Sequence, residues 1–153
     1  MELVIIRPPL IYGAGVKGNF QKMMKWIHGS MPLPLGSIEN QRSLVYIDNL
    51  TSLIKLCIEH PSAVNQTFLV SDGKDLSTSQ LFRHLAPLLG KQSRLINFPQ
   101  RVLKCILLIM GRKDIYQRLC ENLQVDIQKT RDLLNWKPPV SVEVGLENTA
   151  KSW

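Results

Sequence analysis

Tyr12 and Lys17, the three histidines His28, His60 and His84, the glycine series Gly13, Gly15 and Gly18, and the arginine Arg42 are the residues whose types and spacing invite a chemical reading. One reductase arrangement pairs a tyrosine with a lysine four residues on. Here Lys17 follows Tyr12 by five, and neither Tyr46 nor Tyr116 has a lysine at the required offset. No G-x-S-x-G elbow is present, and no histidine has a companion at metal-ligand spacing, so each reads as surface or core packing. The sequence therefore nominates no catalytic residue and no metal site.

Gly13-Ala14-Gly15-Val16-Lys17-Gly18 is literally G-x-G-x-x-G. In a dinucleotide site the first glycine follows directly on a strand, and an acidic residue about 20 positions on closes a second strand. Six residues including Pro8 and Pro9 separate Gly13 from the apolar run Leu3–Ile6, and Glu39 stands in a Pro/Gly-rich loop. The expectation is a glycine-permitted turn into a helix whose N-terminus can still attract a phosphate. Arg42 stands after the loop Met31-Pro32-Leu33-Pro34-Leu35-Gly36, at the mouth of a strand. Its guanidinium fork suits a diphosphate, and a solvated loop arginine is the competing reading.

These groups must be positioned by an α/β chain. Leu3–Ile6 reads as a strand buried on both faces, Ser43–Tyr46 and Gln66–Val70 as further strands, and Arg94–Phe98 as one more. Helices are expected from Phe20 to Gly29, from Asp48 as cap to His60, from the capping box Ser77/Gln80 to Gly90, from Pro99 to Gly111, from Asp126 to Leu134, and from Ser141 to an inward Trp153. Leu3–Ile6 and Thr67–Val70 are expected to be adjacent and parallel, because helices between them supply the crossover. A chain that opens on such a strand looks truncated.

The composition, 44% hydrophobic and 20% charged over 153 residues, is that of a globular domain. A formal charge of +7 favours anionic partners, but no basic run exceeds Arg112-Lys113 and no aromatics interleave with cations, so no nucleic-acid partner is expected. The greasiest stretch, Val102–Met110, is interrupted by Lys104 and is about half the roughly 20 residues of a span. It reads as a buried helix, with no membrane partner. Three cysteines without C-x-x-C exclude a disulfide framework and point to a cytoplasmic setting.

Several segments fall in an order that resembles one family. Arg7-Pro8-Pro9-Leu10-Ile11-Tyr12-Gly13 resembles the R-P-x-x-x-Y-G segment of extended short-chain dehydrogenases, the NAD-dependent nucleotide-sugar epimerases and dehydratases. Pro32–Gly36, Arg42–Leu50, Phe68–Gly73 and Leu134–Pro138 with Gly145-Leu146 agree in register, so the resemblance covers essentially the whole chain. The nearest likeness is to bacterial UDP-sugar 4-epimerases of polysaccharide biosynthesis.

The resemblance implies a C-terminal part of a Rossmann-fold enzyme, with an incomplete parallel sheet and a mostly helical substrate-binding lobe. Residues 1–18 and 65–73 would supply the last strands of the sheet, and residues 19–64 and 74–153 the lobe. The Gly-rich NAD loop and the catalytic Tyr-x-x-x-Lys would lie in a missing N-terminal NAD-binding half. In such enzymes NAD takes a hydride from the sugar, a 4-keto intermediate turns over, and the hydride returns to the other face.

Carried over by residue, Pro8 would lie near the nicotinamide, Asn19 and Phe20 would present a helix start to the phosphates and sugar, Leu33 and Leu35 would flank the uracil, and Arg42 would pair with the diphosphate. Arg118 and Glu121 resemble the family's R-x-G-D pair, with Cys120 in place of Gly and Glu121 in place of Asp. The implied ligand is a UDP-sugar or related nucleotide-sugar, and a homodimer is compatible. A nucleotide-sugar-binding module without catalysis, and an interaction domain that has lost its ligand, remain as alternatives.

Overall fold

Pro8 and Pro9 lack backbone N–H groups, so no strand ladder can run through them. In the computed structural model, which describes residues 2–153, the chain breaks at this point into two short strands, β1 (Ile5–Arg7) and β2 (Leu10–Tyr12). β1 pairs in parallel with β4 (Thr67–Leu69), with Ile5 opposite Thr67 and Arg7 opposite Leu69. β2 pairs in parallel with β3 (Leu44–Tyr46), with Leu10 opposite Leu44 and Tyr12 opposite Tyr46. The expected neighbours are thus adjacent and parallel. β2 was not expected, because the stretch from Arg7 to Gly18 reads as loop; it is also the strand that runs directly into Gly13, which removes the spacing objection to the glycine series.

The helices are α1 (Gly18–His28), α2 (Ile47–Glu59), α3 (Thr78–Leu88), α4 (Gln100–Ile109), α5 (Lys113–Cys120), α6 (Gln128–Leu134) and α7 (Val142–Lys151). Their starts follow ordinary capping chemistry. Ser77 accepts from Gln80 N while the Gln80 side chain accepts from Ser77 N, a reciprocal capping box. Ser141 caps α7 through Val144 N, and Asp126 accepts from Gln128 N at 2.8 Å at the head of α6. Asp48 does not cap α2. That helix begins one residue earlier, at Ile47, and Asp48 lies in its first turn, where its charge still complements the helix dipole.

Two compact units emerge, where the resemblance implies one partial domain with residues 1–18 and 65–73 in the sheet and residues 19–64 and 74–153 in the lobe. Unit 1 comprises Met1–Val16, Ser43–Asp75 and Gln124–Trp153. Its core contains Val45, Leu53, Phe68, Val70, Leu134 and Trp136, contributed by all the later segments of the unit. Thr130 Oγ1 donates to the Leu69 carbonyl at 2.7 Å, which seats α6 on β4. Residues 43–64 and 124–153 therefore belong with the strands, because α2, α6 and α7 pack on β3 and β4. Unit 2 comprises Lys17–Arg42 and Leu76–Leu123. There α1 and α3 pack together, burying Phe20, Met24 and Ile27 from one and Leu81, Phe82 and Leu85 from the other.

Four further expectations are corrected. Arg94–Phe98 forms no strand; Leu95 makes a single parallel bridge to Leu33, because Pro32 and Pro34 deny that loop the donors a ladder requires. Leu3 and Ile5 are exposed, so the first apolar run is not covered on both faces among the described residues. α4 is not a buried helix: Leu103 is its buried residue, and most of its apolar side chains face solvent, as does Trp153 at the end of α7. No helix is long and apolar enough to cross a membrane among the described residues.

Candidate functional site

In unit 2 the loop that carries Arg42 is held by a buried asparagine. Asn40 Oδ1 accepts from Thr78 N at 2.8 Å, and its Nδ2 donates to Thr78 Oγ1 at 3.2 Å and to the carbonyls of Leu119 and Glu121, both at 3.1 Å. Backbone bonds complete the frame: Arg42 N donates to Leu76 O, Leu76 N to Arg42 O, and Leu123 N to Gln41 O. Arg42 is thereby fixed between the segment leading into α3 and the segment leaving α5. Sequence reasoning missed Asn40, since a lone asparagine in a Pro/Gly-rich loop carries no signal of the three distant groups it joins.

The Arg42 guanidinium donates from Nη1 to the Glu121 carbonyl at 3.2 Å. It is half-buried, and burial pulls its pKa below the ordinary arginine value. Among the described residues no carboxylate forms an ion pair with it. A partly desolvated cation fixed by its backbone and lacking an anionic partner is suited to receive one from a ligand.

The other nominated residues distribute unevenly. Glu121 meets Arg42 and Asn40, but through its backbone carbonyl, with its carboxylate exposed. Arg118 is exposed in the last turn of α5, and no hydrogen bond joins it to Glu121 among the described residues. Leu33 is tied to the 94–96 segment by Leu33 N to Arg94 O and Ile96 N to Leu33 O, at 3.0 and 2.8 Å. Leu35 is buried, Asn19 is exposed in the first turn of α1, and Phe20 behind it is fully buried. No hydrogen bond links Asn19 to Arg42 among the described residues. A polar recess of the same unit is walled by Gly36, Gln41, Ser77, Gln80, Arg83 and Asn97, none of them nominated from sequence.

In unit 1, Pro8 is exposed at the break between β1 and β2. Beside β2 lies a buried polar cluster that the sequence did not announce. Tyr12 Oη donates to Asp72 Oδ2, Tyr46 N and Asn49 Nδ2 donate to Asp72 Oδ1 at 2.9 and 2.7 Å, and Asn49 exchanges two bonds with the Val140 backbone. Burial raises the pKa of Asp72 against the pull of these donors, and raises that of the Tyr12 phenol still further with help from Asp72. Each group is satisfied from within the fold, so the cluster reads as a structural tie joining β2, β3, α2 and the approach to α7.

The glycine series is largely explained by its own backbone. Gly13 has φ +150°, and a Cβ there would stand 2.4 Å from Ile47 Cγ2, so the close approach that requires glycine is to a side chain of this protein. Gly15 and Gly18 have left-handed φ values of +69° and +73°, with open space where a Cβ would be.

No protein-family model matches the chain. Over its whole length it is 47% identical to the UDP-glucose 4-epimerase of Vibrio cholerae, covering 47% of that protein. It is 29% identical over 98 residues, 64% of the chain, to the N-acetyl-alpha-D-glucosaminyl-diphospho-ditrans,octacis-undecaprenol 4-epimerase of Escherichia coli O157:H7, covering 30% of that protein. Among solved structures it superposes on the UDP-glucose 4-epimerase of Thermotoga maritima bound to UDP-glucose, with TM-score 0.69 and 21% identity over 99% of this chain and 46% of that one. The UDP-glucuronic acid 4-epimerase of Bacillus cereus, in complex with UDP-glucuronic acid and NAD, gives TM-score 0.72 and 19% identity over 97% of this chain and 44% of that one. At such identities the structural likeness shows the fold, an α/β arrangement of the Rossmann type with short parallel pairs and many helices. The chain spans about half the length of the relatives it matches.

Proposed function

This chain belongs to the extended short-chain dehydrogenase family, and from that premise we propose that it is the nucleotide-sugar-binding portion of an NAD-dependent UDP-sugar 4-epimerase. The observation that carries this reading is the 47% identity to a UDP-glucose 4-epimerase along the full chain. NAD, held mainly outside these residues, supplies reversible hydride transfer when bound. The chain itself binds and orients.

Arg42 is the anchor of that role, offering to the diphosphate a half-buried guanidinium that has no acidic partner among the described residues. Asn19 and Phe20 stand in the opening turn of α1, where the positive end of the helix dipole favours a phosphate. The Phe20 side chain is buried, so it backs this turn from within the core. Leu33 and Leu35 shape the uracil contact, Leu35 from within the core. Arg118 and Glu121 take the diphosphate and ribose, and Pro8 the nicotinamide edge. The chain does not epimerise alone, because it lacks the Tyr-x-x-x-Lys pair.

Calorimetric titration with UDP, UDP-glucose and NAD tests the reading. UDP and UDP-glucose should bind, and Arg42→Ala should weaken both by about 1.5–3 kcal/mol, the range for a hydrogen bond to a charged group. NAD should show no submillimolar affinity. Equal binding of UDP by the alanine variant makes Arg42 a solvated loop arginine, and tight binding of NAD returns the glycine series to candidacy as a pyrophosphate cradle. Supplying the NAD-binding half of a relative in trans separates an enzyme portion, which gains epimerase activity, from a stand-alone binding module, which gains none.

A further inference from the structure

The Glu121 carbonyl accepts from two side chains at once, Asn40 Nδ2 at 3.1 Å and Arg42 Nη1 at 3.2 Å. Glu121 directly follows α5, and the closing carbonyls of a helix have no partner within it. Asn40 Nδ2 donates to Glu121 O and, beside Thr78 Oγ1, to Leu119 O, while Asn40 Oδ1 is pinned by Thr78 N at 2.8 Å. The asparagine is buried, so its amide has to be satisfied by these groups, and one orientation does so. A donor fixed in this way fixes the direction of the carbonyl it meets.

The consequence falls on Arg42. Its backbone exchanges N–H and carbonyl bonds with Leu76, but the guanidinium stands at the end of a long side chain that other rotamers would carry elsewhere. Among the described residues the Glu121 carbonyl is the acceptor that the guanidinium meets. A carbonyl suits this task better than a carboxylate. It orients the fork and leaves the positive charge uncompensated, whereas an ion pair would hold the group equally well and cancel its charge.

We propose that Asn40 is the positioning residue of Arg42: it aims the Glu121 carbonyl, and that carbonyl aims the guanidinium at the diphosphate of a nucleotide-sugar. Asn40 touches no ligand, and Arg42 makes the contact. The identity of the ligand rests on the nucleotide-sugar reading, whereas the link from Asn40 to Arg42 rests on the shared carbonyl alone.

UDP affinity is measured by calorimetry for the full chain and its variants. Asn40→Ala should bind UDP at least about tenfold more weakly, and the double variant with Arg42→Ala should bind within about twofold of Arg42→Ala alone, because a residue that acts through Arg42 then has nothing to aim. Thr78→Val removes the hydroxyl that donates to Leu119 O at 2.6 Å but leaves the bond from Asn40 to Glu121, so it should lose stability and keep UDP affinity within about twofold of wild type. Asn40→Asp keeps the oxygen that accepts from Thr78 N and loses the donor to Glu121 O. It should weaken UDP binding as Asn40→Ala does, and it reads the same link if the alanine variant does not fold. Additive losses from Asn40 and Arg42 overturn the proposal, as does wild-type affinity in Asn40→Ala or Asn40→Asp, or an equal loss in Thr78→Val. Equal UDP binding by wild type and Arg42→Ala overturns the nucleotide-sugar reading instead. Nuclear magnetic resonance of the Arg42 guanidinium then decides the link without a ligand: restricted rotation in wild type and free rotation in Asn40→Ala supports it, and equal rotation in the two overturns it.

Discussion

Tyr12 Oη donates a 2.6 Å hydrogen bond to Asp72 Oδ2 inside unit 1, joining the end of β2 to the turn that follows β4. The same carboxylate accepts from Tyr46 N and Asn49 Nδ2, so one buried charge organises two strands and the start of α2. Removing one donor while leaving the carboxylate buried costs more than an ordinary hydrogen bond. Tyr12→Phe should destabilise the chain by about 1–3 kcal/mol in urea unfolding, with little change in slope.

Burial raises the pKa of Asp72 above its ordinary 3.8, which fixes the sign of its linkage. An acid whose native pKa exceeds its unfolded value holds its proton more readily when folded, so its contribution is largest below the unfolded value and is lost as pH rises through the native one. Wild type should therefore gain stability relative to Asp72→Asn as pH is lowered toward 3.8. Thermal melts of the two proteins at a series of pH values read this difference, and a gap that is constant with pH contradicts it.

Gly145 sits in α7 with its Cα against Tyr12, where a Cβ would stand 2.6 Å from Oη and 3.1 Å from the ring. Alanine ordinarily stabilises a helix interior by about 1 kcal/mol relative to glycine. Here overpacking against the buried phenol should win, and Gly145→Ala should lose about 1–3 kcal/mol. A melting temperature equal to or above that of wild type contradicts this packing.

The three thiols should separate by reactivity. Cys105 is exposed on α4, whereas Cys57 and Cys120 are buried, and burial pushes the Cys120 pKa up to about 11. Iodoacetamide at neutral pH should modify Cys105 in the folded chain and reach the other two after unfolding, as read by peptide mass spectrometry. Early labelling of Cys120 would show that the α4–α5 packing opens readily.

Asn40 holds the loop that carries Arg42 with bonds to three distant groups. Asn40→Ala leaves Thr78 N without its side-chain acceptor and takes one of two donors from the Leu119 and Glu121 carbonyls, which keep Thr78 Oγ1 and Arg42 Nη1, and should destabilise unit 2 by about 1–3 kcal/mol. Hydrogen exchange should report the loss locally, as faster exchange of the Thr78 amide.

Much of the fold was legible where a local signal decides the outcome. Ser77 with Gln80, Ser141, and the β-branched runs that became β1, β3 and β4 belong to this class. The missed elements are those that a local signal misdescribes. β2 is three residues behind two prolines, and α5 is eight residues without an apolar run, each held by a distant neighbour. α4 was misjudged for a different reason: periodicity locates an apolar stripe but does not say how much of it the fold will cover. Arg42 is nominated by its place after the proline loop, while Asn40 in unit 2 and Asp72 in unit 1 carry no such signal, because the importance of each lies in partners brought to it by the fold.

Unit 1 is assembled from three stretches of chain, and its core includes Ile127, Leu134 and Trp136 from the last of them. Unit 2 needs nothing beyond Leu123. During synthesis at about 5–20 residues per second, the strands made first must wait for residues through Trp136 to leave the ribosome before their apolar faces can be closed. Unit 2 has all of its chain several residues sooner. The nascent protein thus holds β2 as an open pairing template until β3 is made and β1 until β4 is made, and the two residues without N–H groups between them limit how far any mistaken partner can zip along that edge.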